Sequence, residues 1–336
     1  MKRQLVTIFL VIITSQYLCA QNETHWLPEQ PGKWSFHHTI HGEIEKYKLT
    51  PAELATYQSK IDAIAETFHQ NPVLKNPVGF EPSLNVLVWP HDKLGYKTIS
   101  LANAIIESRI AIQFCPYFRD EAGNVKKHCT EVTSCDIHLN QPEATAENHL
   151  NYSASEVNPA SEQLEIAAQK LSKIFIEPLV EKELDKGVVA YSSGIIIVSN
   201  PDRPYWIPVK AGALFDEILA YYRLVMEQDD SYSFVVEDIK KEKASLTPEE
   251  LNGPAYYESG NISHVTATPN NSQLKRFNPD YFDKSLPRTA IQIIAIHTLT
   301  EAFSKECDYN HIEYQRHCEF VKQLDAKALK ALIDVK

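Results

Sequence analysis

Ten glycines serve a chain of 336 residues, and no two of them stand closer than seven positions apart. A phosphate cradle needs glycines bunched together so that backbone amides can close on the anion. That bunching is missing, which excludes a nucleotide-binding P-loop and the usual dinucleotide fingerprint. No cofactor is expected. The chain must instead fold by ordinary hydrophobic patterning, and 43% hydrophobic with 23% charged residues is the balance of a globular protein.

The amino end reads differently from the rest. MKRQLVTIFLVIITSQYLCAQN opens with Lys2 and Arg3, continues as an apolar run from Leu5 to Ile13, and reaches the small residue Ala20. That is the layout of a secretory signal peptide over residues 1–20, with cleavage expected before Gln21. Residues 21–336 are then expected to form one α+β unit, with a subdivision near 140–160 left open. The expected setting is exported and bacterial, either periplasmic or secreted. The net charge of −11 becomes −13 once Lys2 and Arg3 leave. No basic stripe offsets it, so nucleic acid is not an expected partner. No later run approaches the ~18 apolar residues of a membrane span, so no transmembrane segment is expected after cleavage.

Six cysteines become five when Cys19 is removed. Export permits disulfides, and an odd count leaves a thiol over. CPYFRDEAGNVKKHC reads as a hairpin turning near Ala122, which sets Cys115 opposite Cys129. Cys129 with Cys135 is the competing pair. Cys307 with Cys318 would close a short loop near the carboxyl end.

In FHHTIHGEIE, apolar residues fall on alternate positions through Phe36, Ile40 and Ile44. Period two marks a strand with one wet face, so His37 and His41 stand about 13 Å apart and cannot share one metal ion. LTPAELATYQSKIDAIAETFHQNP carries Thr50, Pro51 and Glu53 as a capping-box start. Leu54, Tyr57, Ile61, Ile64 and Phe68 then form an inward stripe, and Pro72 ends the helix. SLNVLVWP reads as a strand covered on both faces, and RIAIQFCPYF as an alternating one. Residues 140–160 read as a surface loop or linker. Helices are expected over 162–176 and 212–226, and a third through FVKQLDAKALKALI. GVVAYSSGIIIVSNP reads as a hairpin, RTAIQIIAIHT as a buried strand, and SLTPEEL as a turn or two of helix. Irregular interleaving of hairpins and helices favours α+β, with a mixed or antiparallel sheet.

Catalytic signatures are missing: there is neither a Gly-x-Ser-x-Gly elbow nor a His-Glu-x-x-His helix. SQLK at 272–275 matches a four-residue nucleophile pattern without its companions, and a polar loop explains it as well. HCTEVTSCDIH and CDYNHIEYQRHC each gather cysteine and histidine, but lack the paired spacing of zinc fingers. No metal ligand is assigned. His91 and Asp92 follow a strand, where loops often carry catalytic groups. Tyr205 and Trp206, held between Pro204 and Pro208, are the best candidates for an aromatic platform. The leading expectation is a non-catalytic binding or accessory protein for a small molecule, glycan or peptide. The alternatives are an extracytoplasmic hydrolase without a linear motif and a metal-binding protein built on a Cys/His cluster.

Overall fold

A computed structural model describes residues 25–88, 101, 104–154 and 161–335. The expected signal peptide, and His91 with Asp92, lie outside the described residues. The fold is α+β, built on a ten-stranded mixed sheet. Its members are β1 (His25–Trp26), β2 (Ser35–Gly42), β3 (Phe80–Val88), β4 (Ser108–Arg119), β5 (Val125–Lys127), β6 (Ser134–Leu139), β8 (Val180–Asp185), β9 (Val188–Tyr191), β10 (Ile195–Ser199) and β15 (Ile293–His297). Hydrogen-bonded neighbours run β2-β3-β4-β6-β15-β10-β9-β8, with β1 and β5 also on β4. β2 and β3 are parallel, and the other described pairs in this sheet are antiparallel.

A three-stranded sheet orders β11 (Trp206–Pro208), β14 (Leu274–Phe277) and β7 (Phe175–Ile176), and β12 (Tyr256–Tyr257) pairs with β13 (Val265–Thr266). The helices are α1 (Pro51–His69), α2 (Pro72–Lys75), α3 (Glu162–Leu171), α4 (Ala211–Met226), α5 (Ser233–Ala244), α6 (Pro248–Asn252), α7 (Ile312–Lys322) and α8 (Ala326–Lys330).

The first face of the large sheet is buried from β3 across to β9. Tyr57, Ile61, Ile64 and Phe68 of α1, with Leu74, Phe320 and Leu329, pack on Leu84, Val86, Ile110, Ile112, Ile137, Ile294 and Ile296. Thr50 and Glu53 form the expected capping box, so local chemistry starts α1 where tertiary packing needs it. Leu54 departs from the expected stripe and is 41% exposed, because the first turn overhangs the core.

The second face is covered only in part. Phe175, Tyr191, Trp206 and Tyr281 pack on Ile195, Ile197, Ile293 and Ala295 of β10 and β15. Behind this layer a separate cluster joins α3, α4 and α5 through Leu164, Leu171, Leu214, Ile218, Tyr221 and Ile239. On β3 and β4 the second-face positions are half-buried, apart from the bridged Cys115, which is buried. β3 is therefore covered on one face, not on two as expected from its sequence.

Three further expectations are corrected. The helix read over 162–176 stops at Leu171, and Phe175 and Ile176 join β7 instead. The carboxyl-terminal helix is two helices, because Asp325 caps Lys327 and Ala328 and so starts α8 afresh. Residues 140–146 are not a surface loop: Asn140, Gln141, Ala144, Thr145 and Ala146 are buried. The turn at Gly194 is as expected, with φ +87°, and a Cβ there would meet the Thr298 carbonyl at 2.8 Å.

Candidate functional site on the open half of the sheet

Strand register lines up the residues of the second face. Asn85, Ala111, Asp136, His297 and Ile195 form one row across β3, β4, β6, β15 and β10. Leu87, Arg109, His138, Ala295 and Ile197 form the next, and Ser83, Gln113 and Ser134 a third. Polar residues predominate on the β3–β6 side, where Leu87 and Ala111 are the apolar members of these rows, and apolar residues fill the β10 side. The boundary falls between β6 and β15, and there His138 meets His297 with ring centroids 4.7 Å apart. At about 4.8 Å per strand, the polar patch spans roughly 10–15 Å, the width of one or two sugar rings.

The segment 140–146 walls the boundary. Gln141 Oε1 lies 2.5 Å from His138 Nδ1, and the Ala144 carbonyl lies 2.6 Å from His297 Nε2. A carbonyl only accepts, so each ring donates through that nitrogen and keeps a lone pair on the other when neutral. Burial draws the His138 imidazole down to about 4, against a rise from its bond to Gln141. At neutral pH it is an uncharged base.

Beside the pair, Arg109 Nη2 donates to Asp136 Oδ2 at 2.7 Å. Arg109 Nε and Asp136 Oδ1 are buried yet have no hydrogen-bond partner. Among the described residues, the side chains of Asn85, Gln113 and Ser134 also make no hydrogen bond. The far end of the face is closed by Glu81, which accepts from Lys127 at 2.6 Å and from Tyr117 at 2.8 Å.

Residues singled out in the sequence are placed elsewhere. Trp206 is 8% exposed, with Phe175, Tyr191 and Tyr205 packed around the indole and its Nε1 donating to Thr145 Oγ1 at 3.0 Å. Tyr205 is bonded to the Tyr191 hydroxyl, and burial raises its phenol. The exposed platform is thus corrected: the pair anchors the wall from behind, because its rings complete the layer over β10 and β15. His41 is exposed on β2, and Glu43 is held by Lys46 at 2.6 Å.

Cys115 pairs with Cys129, and Cys307 with Cys318, at Cα separations of 4.8 and 5.5 Å. Each Cys/His cluster therefore loses thiolates to a bridge. Cys135 is buried and unbridged, and burial raises its thiol. A cavity of about 490 Å³ lies between α1 and α8, but Asn71 there serves the Phe320 carbonyl and Asp325 serves its own helix.

His297 is the residue that sequence reading missed. It sits in an apolar strand with no neighbouring signal, and only the β6–β15 register brings it to His138. Comparison with protein-family models, curated proteins and solved structures finds no match to this chain.

Proposed function

We propose that this is an exported, non-catalytic binding protein that takes a small glycan on the open half of its sheet. One observation carries the reading: Arg109 Nε and Asp136 Oδ1, a donor and an acceptor on adjacent strands, are buried without partners. Buried polar groups are paired in more than ~90% of cases, so two together point to a missing ligand or water. A sugar hydroxyl suits the gap because one oxygen both accepts and donates. Asn85, Gln113 and Ser134 extend the same chemistry across the face. Two disulfides support an exported setting.

Calorimetric titration with a panel of soluble oligosaccharides tests the proposal, with short peptides as the contrasting ligands. A glycan that binds wild type should lose at least tenfold in affinity to Asp136→Asn and to Arg109→Met. Binding of peptides alone, or glycan binding indifferent to both changes, would reject it. His138, held in one tautomer by Gln141 with its Nε2 lone pair free on the polar face, is the observation behind a second reading, hydrolysis at the same face. Turnover of a bound glycan, abolished by His138→Gln, would select that reading over simple binding.

A further inference from the structure

The same boundary carries a second chemistry that does not rest on glycan binding. We propose that His138 and His297 hold a first-row divalent transition-metal ion, zinc or copper, in an open site between β6 and β15. Imidazole nitrogen suits both ions.

The first support is the outer arrangement of the two rings. Histidines that ligate metals donate their second ring N–H to a carbonyl, carboxylate or water, which fixes the tautomer and aims the lone pair. Both rings here do so, His138 through Nδ1 to Gln141 Oε1 and His297 through Nε2 to the Ala144 carbonyl. The donors left for an ion are His138 Nε2 and His297 Nδ1. Neither acceptor is incidental. Gln141 is 3% exposed, and Ala144 stands in a wall held from behind by the bond from Trp206 to Thr145.

Spacing is the second support. Two imidazoles sharing one ion at ~2.1 Å per bond place their centroids roughly 4.5–5.2 Å apart, for angles from a right angle to tetrahedral. The observed separation is 4.7 Å.

The third is a carboxylate oxygen without a partner. Asp136 lies two residues before His138 on β6 and directly opposite His297 on β15, and its Oδ1 is buried and unbonded. Among the described residues no group of three or more His, Cys, Asp or Glu side chains is placed to hold a metal ion, so Asp136 is not a third ligand as it stands. The ion therefore rests on two imidazoles and completes its shell with water, which can donate a hydrogen bond to Asp136 Oδ1.

The experiment uses full-length, tag-free protein stripped with a chelator and titrated with zinc or copper ions alone. The expected result is one equivalent bound with micromolar or tighter affinity. Electron paramagnetic resonance of the copper form should show two equatorial imidazole nitrogens. His138→Ala and His297→Ala should each weaken binding at least tenfold, while His311→Ala, a variant at a 62% exposed ring on α7's leading edge, should not. Absence of stoichiometric binding, fewer than two nitrogens in the spectrum, or undiminished affinity in the double variant would overturn the site. The nitrogen count comes from unaltered protein, so it decides even where a variant folds poorly. Because metal and glycan are added separately, failure of one reading leaves the other standing.

Discussion

His317 shows how much one buried ring can cost in acid. It is 1% exposed, stacked on Phe114 at 5.0 Å, bonded through Nδ1 to Thr133 at 3.1 Å, and its Nε2 has no partner. Burial holds its imidazole down at about 4, with Asp136 pulling weakly the other way. An unfolded histidine titrates near 6.5, so between those values the unfolded state binds the extra proton and the native state does not. The stabilising contribution is complete above the unfolded value and is lost as pH falls toward 4. For a ring this buried the loss is on the order of 3 kcal/mol. Urea midpoints measured at pH 7 and pH 4.5 should separate widely for wild type and clearly less for His317→Leu. Equal separations would show that the proton enters His317 without opposing the fold. His138, lowered by the same cause, leaves a residual acid response in the variant.

At the level of elements, what could be read from sequence was what neighbours in sequence decide. The β4–β5 hairpin pairs Tyr117 with Lys127 and Arg119 with Val125, and that register carried back reaches Cys115 and Cys129. A turn fixes its own register, so Cys115–Cys129 was legible as one of two candidate pairs, and the structure selects it over Cys129–Cys135. The capping box of α1 and the Gly194 turn were legible for the same reason. The wall at 140–146 was not. Its polar letters resemble a loop, and its burial depends on residues some 150 positions away, in the segment that leads into β15. Trp206 was misread likewise, since a rigid Pro-flanked turn does not say which side of it is covered. The hairpin bridge spans 14 residues, and the chain-entropy estimate for such a loop is about 3 kcal/mol. Cys115→Ala with Cys129→Ala should therefore lower unfolding free energy by about that amount. Among the five cysteines of the described residues, iodoacetamide should label Cys135 alone, and only after denaturation. Labelling of Cys115 or Cys129 in unreduced, denatured protein would contradict the pairing.

The whole molecule is asymmetric about its large sheet, and the candidate site follows from that. Helices cover one face from β3 across to β9, whereas the other is covered from β15 outward and left largely polar over β3, β4 and β6. The edge of the covering layer must be held in place for the boundary to exist, and Asn140 does the holding. Its amide donates to the carbonyls of Ile106 at 3.0 Å and Ala290 at 2.8 Å, and its Oδ1 accepts from Gln292 at 2.8 Å. Two distant stretches, around Ile106 and over 290–292, meet on this one fully buried side chain. Its φ of +55° lies in the left-handed region, which asparagine tolerates better than most residues. Asn140→Ala would leave three buried backbone groups without partners, at about 1–3 kcal/mol each if no water enters. The variant should lose several kcal/mol in urea unfolding, and amide exchange should quicken in β6, β15 and residues 141–146 together. A loss confined to the 141–146 segment would instead mean that the wall is a separate flap, and that the two histidines are brought together by the sheet alone.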